Sequence, residues 1–439
     1  DYAKTFADMA KGVWLVEDAR RLPEVVARAF AVALSPTPGP VVVVLPEDML
    51  EDVTDATAIE PMTVPRSSAG AAADIADVAD RIANAERPLL VAGGGVASTA
   101  GRAALLAASE AHALPVALSF KRQDLFPNTH AHYAGHLGFK IPKSQVALYS
   151  QADFVLAVGT RLGEVTTQGY TFPAAPTPRQ PLLHVHDDAR HLGSVFRTVK
   201  PLLADPALFL EALARTPRKA PAARAKWIAR LHDYVAAKQP WSPPADGLLD
   251  MGAVAGAMDG HIAEDAVLIT DAGNFAGWLH KHFPFNGRHL LIGGVGGAMG
   301  LGMPAAVAAG LRLPRRQVVA WIGDGCILMT GNELATAVHY RVPVKVFVSN
   351  NASYGTIRMH QERAYPDRVH ATALTNPDFA QWAASFGAKG LTLRTIAEAP
   401  KIVAEALVHP GPVVVDVKTA LEHITPGLTL GDFGRARQS

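Results

Sequence analysis

The residues best placed to do chemistry are a carboxylate and two amides that follow apolar runs late in the chain. Asp324 stands one residue beyond residues 318–322, and Asn350 and Asn351 directly follow residues 344–349. Short, continuous apolar runs predict parallel strands that are buried on both faces, and ligands bind at the carboxyl ends of such strands. Carboxylate, amide and carbonyl oxygens suit a hard divalent cation, and Mg²⁺ takes few protein ligands together with phosphate oxygens. The pattern therefore predicts a site for Mg²⁺ and a diphosphate.

The neighbours of Asp324 support this interpretation. Gly323 and Gly325 let the backbone approach a ligand closely and adopt a positive φ where that is needed. We expect the helical stretch at residues 332–340, NELATAVHY, to follow, so that its N-terminal dipole and free N–H groups lie next to the carboxylate. Asp-Gly alone is most often a turn and Asn-Asn alone a loop. Their joint placement at the ends of consecutive strands is what favours a ligand site.

The elements that must position these residues follow an α/β pattern. Ala-rich segments of helical length alternate with short runs rich in Val, Ile and Leu. Strands alternating with helices predict doubly wound parallel sheets in successive three-layer α/β/α domains. The predicted strands are residues 41–45, 89–92, 154–158, 182–186, 267–270, 318–322, 344–349 and 413–417.

The chain is too long for one core, so we expect more than one domain. Residues 1–55 hold one helix pattern and one strand, which is too little for a domain. Residues 68–215 predict a complete α/β unit. After a connector rich in Pro and Lys, residues 246–439 predict another.

Composition excludes several classes of partner. Of 439 residues 49% are apolar and 18% charged, and 41 basic against 40 acidic residues give a formal charge of +1. No basic run or aromatic-basic ladder is present, so we expect no nucleic acid partner. No apolar stretch reaches about 18 residues, so we expect no membrane partner. The single cysteine, Cys326, leaves no internal disulfide and favours a reducing cytoplasm.

The spacing of the two polar clusters resembles a known family. Between Gly-Asp-Gly and Asn-Asn lie 24 residues, which closely resembles the thiamine-diphosphate (ThDP) motif of the acetolactate synthase and pyruvate decarboxylase superfamily. In that family the Asp, the second Asn and a carbonyl two residues later bind the Mg²⁺ that holds the diphosphate. The resemblance implies Asp324, Asn351 and the main chain of Ser353 as metal ligands.

Other stretches of the last block share this resemblance. Residues 293–311, GGVGGAMGLGMPAAVAAGL, are similar to the family segment that grips the cofactor at its thiazolium–pyrimidine junction. There a bulky apolar residue bends the cofactor into a V, so that its own imino group reaches the C2 proton. By position that residue is Met299, and the carbonyl of Gly297 would accept a hydrogen bond from the pyrimidine amino group. Without the family match, simple packing would be the better interpretation of Met299.

The remaining cofactor contacts are also implied by the resemblance. Residues 269–278, ITDAGNFAGW, would bring Asn274 and neighbouring backbone groups to the diphosphate. Residues 351–362 resemble the helix after the metal ligands. For the side chain of Cys326, packing or a weak contact with the diphosphate is a better interpretation than a role as nucleophile. The resemblance implies further cofactor-binding residues besides the metal ligands Asp324, Asn351 and Ser353. They are Asp271, Gly273, Asn274, Gly297, Met299, Gly323, Gly325, Cys326, Tyr354 and Gly355.

The middle block resembles the central domain of acetolactate-synthase-like proteins. Some of these bind FAD there, but residues 92–96, AGGGV, only partly match a dinucleotide loop because Ser98 replaces its third glycine. The sequence leaves FAD open and slightly disfavours it. The His-rich stretches 130–136 and 184–188 lack a full metal-ligand set, although His136 lies in a segment that lines the family's central cleft.

Residues 35–53 resemble the closing strand and exit of the family's N-terminal pyrimidine-binding domain. The family's activating glutamate, which protonates the cofactor ring nitrogen, belongs to the earlier part of that domain and matches no residue here. On this reasoning the chain as given is expected to be inactive. Because the family's cofactor lies between domains of two subunits, a homodimer or a dimer of dimers is implied.

Three functions remain open. The first is an acetolactate-synthase-like carboligase that decarboxylates a 2-oxo acid such as pyruvate and adds the remainder to a second carbonyl. The second is a non-ligating 2-oxo-acid decarboxylase of the benzoylformate or pyruvate type. The third is a non-catalytic ThDP-binding chain or degraded paralogue. The resemblance of the middle block and of residues 353–362 favours the first, a transferase or lyase.

Overall fold

Two six-stranded parallel sheets organise the protein, as seen in a computed structural model that describes residues 1–64, 68–139 and 141–435. A smaller two-stranded parallel sheet precedes them. The strands are β1 Val13–Leu15, β2 Val42–Val44, β3 Pro88–Ala92, β4 Val116–Leu118, β5 Tyr133–His136, β6 Phe154–Val158, β7 Leu182–His186, β8 Lys200–Leu203, β9 Val267–Thr270, β10 Leu290–Gly293, β11 Val318–Gly323, β12 Val344–Ser349, β13 Lys389–Leu393 and β14 Val413–Val417.

Helices cover both faces of the large sheets, which confirms the predicted α/β fold class. They are α1 Tyr2–Phe6, α2 Leu22–Leu34, α3 Ala72–Asn84, α4 Thr99–His112, α5 Lys143–Tyr149, α6 Pro206–Ala214, α7 Arg224–Ala236, α8 Gly252–Ala257, α9 Ala276–His282, α10 Gly302–Arg312, α11 Asp324–Thr330, α12 Leu334–His339, α13 Gly355–Ala364, α14 Phe379–Ser385, α15 Ala399–Val408 and α16 Leu430–Arg435. None of the described helices is long and apolar enough to cross a membrane.

In each large sheet the order in which the chain adds strands reverses at one point. The first sheet has the order β5-β4-β3-β6-β7-β8, and the second has the order β10-β9-β11-β12-β14-β13. In the second sheet the chain runs from β9 outward to β10 and then returns to the other side of β9 through β11. The crevice at the carboxyl ends of β9 and β11 is thus the topological switch point, where open α/β sheets bind ligands.

The structure corrects two expectations about local elements. The N-terminal segment holds a second helix, α1, and a second strand, β1, which pairs with β2 from Val13↔Val42 to Leu15↔Val44. The helix that follows the Asp324 strand is α11, which begins at Asp324 itself, whereas the predicted 332–340 helix is a 3-10 turn followed by the short α12. Intrinsic helical propensity at residues 332–340 could not show that an earlier turn of helix packs directly below the strand end.

A buried ion pair beside the first sheet contacts the second sheet. Arg102 of α4 pairs with Asp124, and both side chains are largely buried. The guanidinium of Arg102 also donates to the carbonyl of His289 at 2.9 Å, and Asp124 Oδ2 accepts from the backbone N–H of Leu291 in β10 at 3.1 Å. These contacts fix the turn after β4 against the outer side of β10, and a cleft lies between the two sheets next to them.

Candidate metal and cofactor site

The cleft has a volume of about 750 Å³ and lies at the carboxyl ends of β9, β11 and β12. One wall comes from the second sheet and the other from the turns after β4 and β5 of the first. Every residue that the sequence predicted for the metal or the cofactor lines it: Asp271, Gly273, Asn274, Gly297, Met299, Gly323, Asp324, Gly325, Cys326, Asn351, Ser353, Tyr354 and Gly355. Residues from four separate stretches of the chain are thereby brought to one place.

Asp324 is the first residue after β11 and is almost completely buried, at 4% exposure. Its Oδ1 accepts from the N–H of Gly325 at 2.8 Å, and its Oδ2 accepts from Nδ2 of Asn376 at 2.9 Å. Burial raises the pKa of this carboxyl above its ordinary value. Among the described residues it forms no salt bridge, so a desolvated carboxylate is held by neutral donors alone.

A short network of side chains fixes the paired amides. The pairing of β11 with β12 places Gly323 beside Ser349, so that Asn350 emerges next to Asp324. Asn350 Nδ2 donates to Oδ1 of Asp416 at 2.9 Å, and Asn350 Oδ1 accepts from Nδ2 of Asn376 at 2.9 Å. Asn350 is therefore occupied by the protein, and Asn351 is the amide that lines the cleft.

The loop after Asn351 turns sharply. Ala352 has a φ of 53°, and the N–H of Ser353 donates to Oδ1 of Asn351 at 3.1 Å. The Ser353 carbonyl accepts from the N–H of Gly355 at 2.7 Å, and the Ser353 hydroxyl donates to the carbonyl of Thr372 at 3.0 Å. A carbonyl oxygen has two lone pairs, so the Ser353 carbonyl retains one for a cation.

The donor set fits Mg²⁺. Asp324 supplies a buried negative charge that no cationic side chain in the described residues neutralises, and Asn351 and the Ser353 carbonyl supply neutral oxygens nearby. Oδ1 of Asn376 is also buried and has no hydrogen-bond partner within the described part of the chain. The described residues contain no cluster of three or more His, Cys, Asp or Glu side chains that could hold a metal. A site with one carboxylate suits Mg²⁺, which is usually completed by substrate phosphates and water.

Asp271, after β9, shapes the glycine-rich loop. Its Oδ1 accepts from the N–H of Ala272 at 2.7 Å and of Gly300 at 3.0 Å, and its Oδ2 accepts from the N–H of Gly302 at 2.8 Å. The carboxylate is thus consumed by backbone donors. It holds the loop that carries Met299 against the strand ends.

The glycines of the site are required by close packing. A Cβ on Gly325 would lie 2.7 Å from Cε1 of Tyr354, and a Cβ on Gly323 would lie 2.6 Å from Cε1 of Phe275. Gly323 has a φ of −77°, and Gly325 lies in α11 without a positive φ. Neither glycine therefore uses the positive φ that the sequence allowed for, and the close approach of neighbouring side chains explains both.

Gly297 does adopt a positive φ, 75°, at the tip of the glycine-rich loop. Two residues later Met299 is half-buried, and its Cε lies 3.3 Å from where a Gly325 Cβ would stand. Met299 therefore contacts the metal motif from the side of the cleft. This position is compatible with the apolar wedge that the resemblance implied.

Cys326 packs in the interior. Its thiol lies 3.2 Å from the carbonyl of Ala272, and burial raises its pKa to about 12. A thiol that stays protonated is a poor nucleophile. The packing interpretation of Cys326 is the one that this geometry favours.

The other wall of the cleft contains residues that sequence reasoning missed. Lys121 follows β4 and is 5% exposed, and His280 lies on α9. His136, predicted only as a weak candidate, lines the same cleft at the end of β5. No motif marks Lys121, His280 or Asn376, because tertiary packing alone brings them to the site.

The remaining histidine and glycine stretches have structural partners. His184 Nε2 lies 2.7 Å from the carbonyl of Thr160, and Nδ1 of His186 accepts from the N–H of Asp188 at 3.0 Å. In the loop after β3, a Cβ on Gly95 would lie 2.7 Å from Cα of Gly159, and Ser98 caps α4. Packing between neighbouring loops therefore explains this glycine without a dinucleotide.

Comparison with known proteins matches most of both sheets to one family. Residues 75–213 match the thiamine pyrophosphate enzyme central domain, and residues 271–417 match the thiamine pyrophosphate enzyme C-terminal TPP binding domain. The chain is 33% identical over 422 residues to an acetolactate synthase large subunit of Parasynechococcus marenigrum, covering 93% of this chain and 67% of the relative. It is 30% identical over 423 residues to the acetolactate synthase isozyme 1 large subunit of Escherichia coli, covering 94% and 73% respectively.

Proposed function

We infer the activity of this protein from its membership: the chain belongs to the thiamine pyrophosphate enzyme family and is acetolactate synthase large-subunit-like. It is thus a ThDP-dependent enzyme. The proposed reaction is decarboxylation of a 2-oxo acid, such as pyruvate, followed by ligation of the remaining acyl unit to a second carbonyl. The observation that carries the proposal is the convergence of the metal motif, the glycine-rich loop and the Asn274 loop on one cleft.

ThDP, when bound, supplies the carbon nucleophile for the 2-oxo carbonyl and accepts the electron pair left when CO₂ departs. The protein would hold its diphosphate through Mg²⁺ bound by Asp324, Asn351 and the Ser353 carbonyl. Asn274, Gly273 and the start of α13 at Gly355 border the same part of the cleft. N–H groups at helix starts and glycine turns favour phosphate oxygens.

The glycine-rich loop would orient the rest of the cofactor. Asp271 fixes this loop through Gly300 and Gly302, so Met299 projects from a rigid support. A side chain held in this way can impose a bent shape on a bound cofactor without paying for its own ordering at that moment. Gly297, at the tip of the loop, offers its carbonyl to the pyrimidine amino group in this proposal.

The direct test is to incubate the full-length protein with pyruvate, ThDP and Mg²⁺ and to measure CO₂ and the organic products. Acetolactate as the main product supports the carboligase. Acetaldehyde without acetolactate would assign the protein to the non-ligating decarboxylases. No turnover, combined with no ThDP binding by calorimetry, would indicate a non-catalytic paralogue. The intact mass of the same preparation shows whether the assayed polypeptide is the 439-residue chain or a longer one.

The same proposal includes an assembly, a compartment and a cofactor set. We expect a homodimer or a dimer of dimers in the cytoplasm, because the family's cofactor lies between subunits, with Mg²⁺ and ThDP bound and FAD disfavoured. Sedimentation of the purified protein measures the assembly. A flavin absorbance band that survives gel filtration would contradict the prediction about FAD.

A further inference from the structure

Lys121 is a buried cation without a carboxylate partner. Its Nζ donates to the carbonyl of Gly294 at 2.7 Å, across the boundary between the two sheets. An ammonium group has three N–H donors, and among the described residues Lys121 forms no salt bridge. Burial lowers its pKa, and the carboxylate of Asp271, which acts on Lys121 without forming a salt bridge with it, raises that pKa in part. Buried charges in proteins are normally paired directly, so this cation, which lines the cleft, is suited to bind an anionic ligand.

A second polar group beside Lys121 also lacks a partner. Both ring nitrogens of His280 are buried and form no hydrogen bond with any residue that the structure describes. Burial lowers the pKa of His280, and positive charge on His136 and on Lys121 lowers it further. All three side chains line the same cleft. Buried polar atoms that are left unpaired are rare in native proteins and each requires an explanation. A ligand in the cleft would give these donors a partner.

The other carboxylates on this side of the cleft are already engaged. Asp250 accepts from Nε1 of Trp278 at 2.9 Å, from Nε1 of Trp241 at 3.1 Å and from the N–H of Gly252. Asp271 is consumed by backbone donors, as described above. Among the described residues that line this side of the cleft, the donors around Lys121 therefore face no carboxylate that is free of other hydrogen bonds.

We propose that Lys121, together with His136 and His280, binds a substrate carboxylate that the reaction retains. The inference rests on the proposed function. In the ligation two 2-oxo acid anions and one proton give one 2-hydroxy-3-oxo acid anion and CO₂. The donor's C1–C2 bond breaks, a bond forms between the two C2 atoms, and the acceptor's carbonyl oxygen takes the proton. The acceptor's carboxylate is unchanged throughout.

A fixed cation suits the retained carboxylate and not the one that is lost. Pairing Lys121 with the leaving carboxylate would stabilise the charged ground state more than a transition state that approaches neutral CO₂, and would slow decarboxylation. Pairing Lys121 with the acceptor's carboxylate carries no such cost and orients the acceptor for attack. We therefore assign this subsite to the acceptor.

Binding of oxamate, an isostere of pyruvate that cannot be decarboxylated, tests the subsite without cofactor. Calorimetry should show that Lys121→Met weakens oxamate binding by about tenfold to a hundredfold, as expected for loss of a charge-assisted hydrogen bond. Lys121→Arg, which keeps the charge, should restore most of the affinity. Lys389→Met makes the same charge change on β13, at a lysine that does not line the cleft and pairs with Glu405, and should leave binding unchanged.

Product analysis of the full-length protein with ThDP, Mg²⁺ and pyruvate gives the second readout. Lys121→Met should continue to release CO₂ while the ratio of acetolactate to acetaldehyde falls. If Lys121→Met instead stopped CO₂ release with 2-oxoglutarate as the donor, the subsite would bind the second carboxylate that this donor retains. That result would contradict the assignment of the subsite to the acceptor. The melting temperatures of all variants show whether a lower product ratio comes from a folding defect. A His280→Phe variant should give the same shift in product ratio if His280 belongs to the subsite.

Two results would overturn the inference: oxamate binding that is absent in the wild type or unchanged in Lys121→Met, or a product ratio that Lys121→Met does not alter. Failure of the proposed function looks different. In that case the wild type releases no CO₂ from pyruvate, while oxamate still binds and Lys121→Met still weakens it.

Discussion

The side-chain amide of Asn376 lies against the Asp324 carboxylate, with Nδ2 of Asn376 at 2.9 Å from Oδ2 of Asp324. The same Nδ2 donates to Oδ1 of Asn350 at 2.9 Å. One amide therefore sets the distance between the two strand ends that carry the metal motif. An ionised carboxylate only accepts hydrogen bonds, so the nitrogen of Asn376, and not its oxygen, faces Asp324.

Replacing Asn376 by Ala should weaken Mg²⁺-dependent ThDP binding by about tenfold to a hundredfold, the usual effect of removing a group that orients a metal ligand. The carboxylate and the Asn350 amide would each lose a donor, so unfolding stability should also fall by about 1–3 kcal/mol. Calorimetric titration with ThDP at several Mg²⁺ concentrations measures the first effect. Asn84→Ala, on the exposed end of α3, is the control, and an equal loss of affinity there would contradict the assignment.

Replacing Asp324 by Ala should abolish Mg²⁺-dependent ThDP binding. Because burial raises the pKa of this carboxyl, its ionised form disfavours the metal-free folded state at neutral pH. Removing this desolvated charge should offset part of the loss of its hydrogen bonds to Gly325 and Asn376, so the melting temperature of the metal-free variant should change little, whereas the rise on adding Mg²⁺ and ThDP should disappear. Undiminished ThDP affinity in the variant would show that the motif has been misassigned.

Gly325 and Gly296 offer a matched pair of substitutions. An Ala Cβ at Gly325 would meet the Tyr354 ring at 2.7 Å and Met299 at 3.3 Å, whereas at Gly296 nothing lies within 4 Å. We expect Gly325→Ala to displace Tyr354 and to lower both ThDP affinity and the melting temperature. Gly296→Ala should change neither. Similar behaviour of the two variants in thermal melts and titrations would contradict the close-packing explanation.

The stability of the protein should depend on pH through His136. Burial lowers the pKa of His136 to about 4, from an ordinary value of 6.5. Between these values the unfolded chain binds the proton and the folded protein does not, so stability falls as the pH is lowered through this window. At pH 5 the linked loss is about 2 kcal/mol. Urea unfolding at pH 7 and pH 5 should show a smaller loss for His136→Gln than for the wild type; equal losses would indicate that His136 titrates normally.

Burial explains which strands could be predicted from the sequence. Seven of the eight predicted strands lie in the large sheets, where continuous apolar runs such as β9, β11 and β12 are buried along their whole length. The strands that were missed are short or lie toward sheet edges. For example, β8 reads Lys-Pro-Leu-Leu and buries one residue, and β13 buries one of five. An edge strand is specified by its neighbour as much as by its own side chains, so its pattern alone does not show it.

The residues of the site also fall into those that could be predicted from the sequence and those that could not. Asp324 and Asn351 follow strands that could be read from the sequence, so their proximity could be predicted from the parallel arrangement alone. Asn376 lies in an irregular segment, Lys121 lies in the turn after β4 of the first sheet, and His280 lies on α9, which follows β9 of the second sheet. Their convergence depends on how the turn after β4 docks against β10 and α9, which no local pattern encodes.

The contacts of Asp124 and Arg102 with β10 have a consequence for expressing the second sheet alone. β10 is an edge strand, and the N–H of Leu291, which points away from β9, is covered by Asp124 of the other sheet. A fragment that begins near residue 246 would lose this cover and expose unpaired backbone donors and acceptors along a largely apolar strand. Such an edge is a template for pairing with another chain, so the first sheet also serves the second as protection against aggregation.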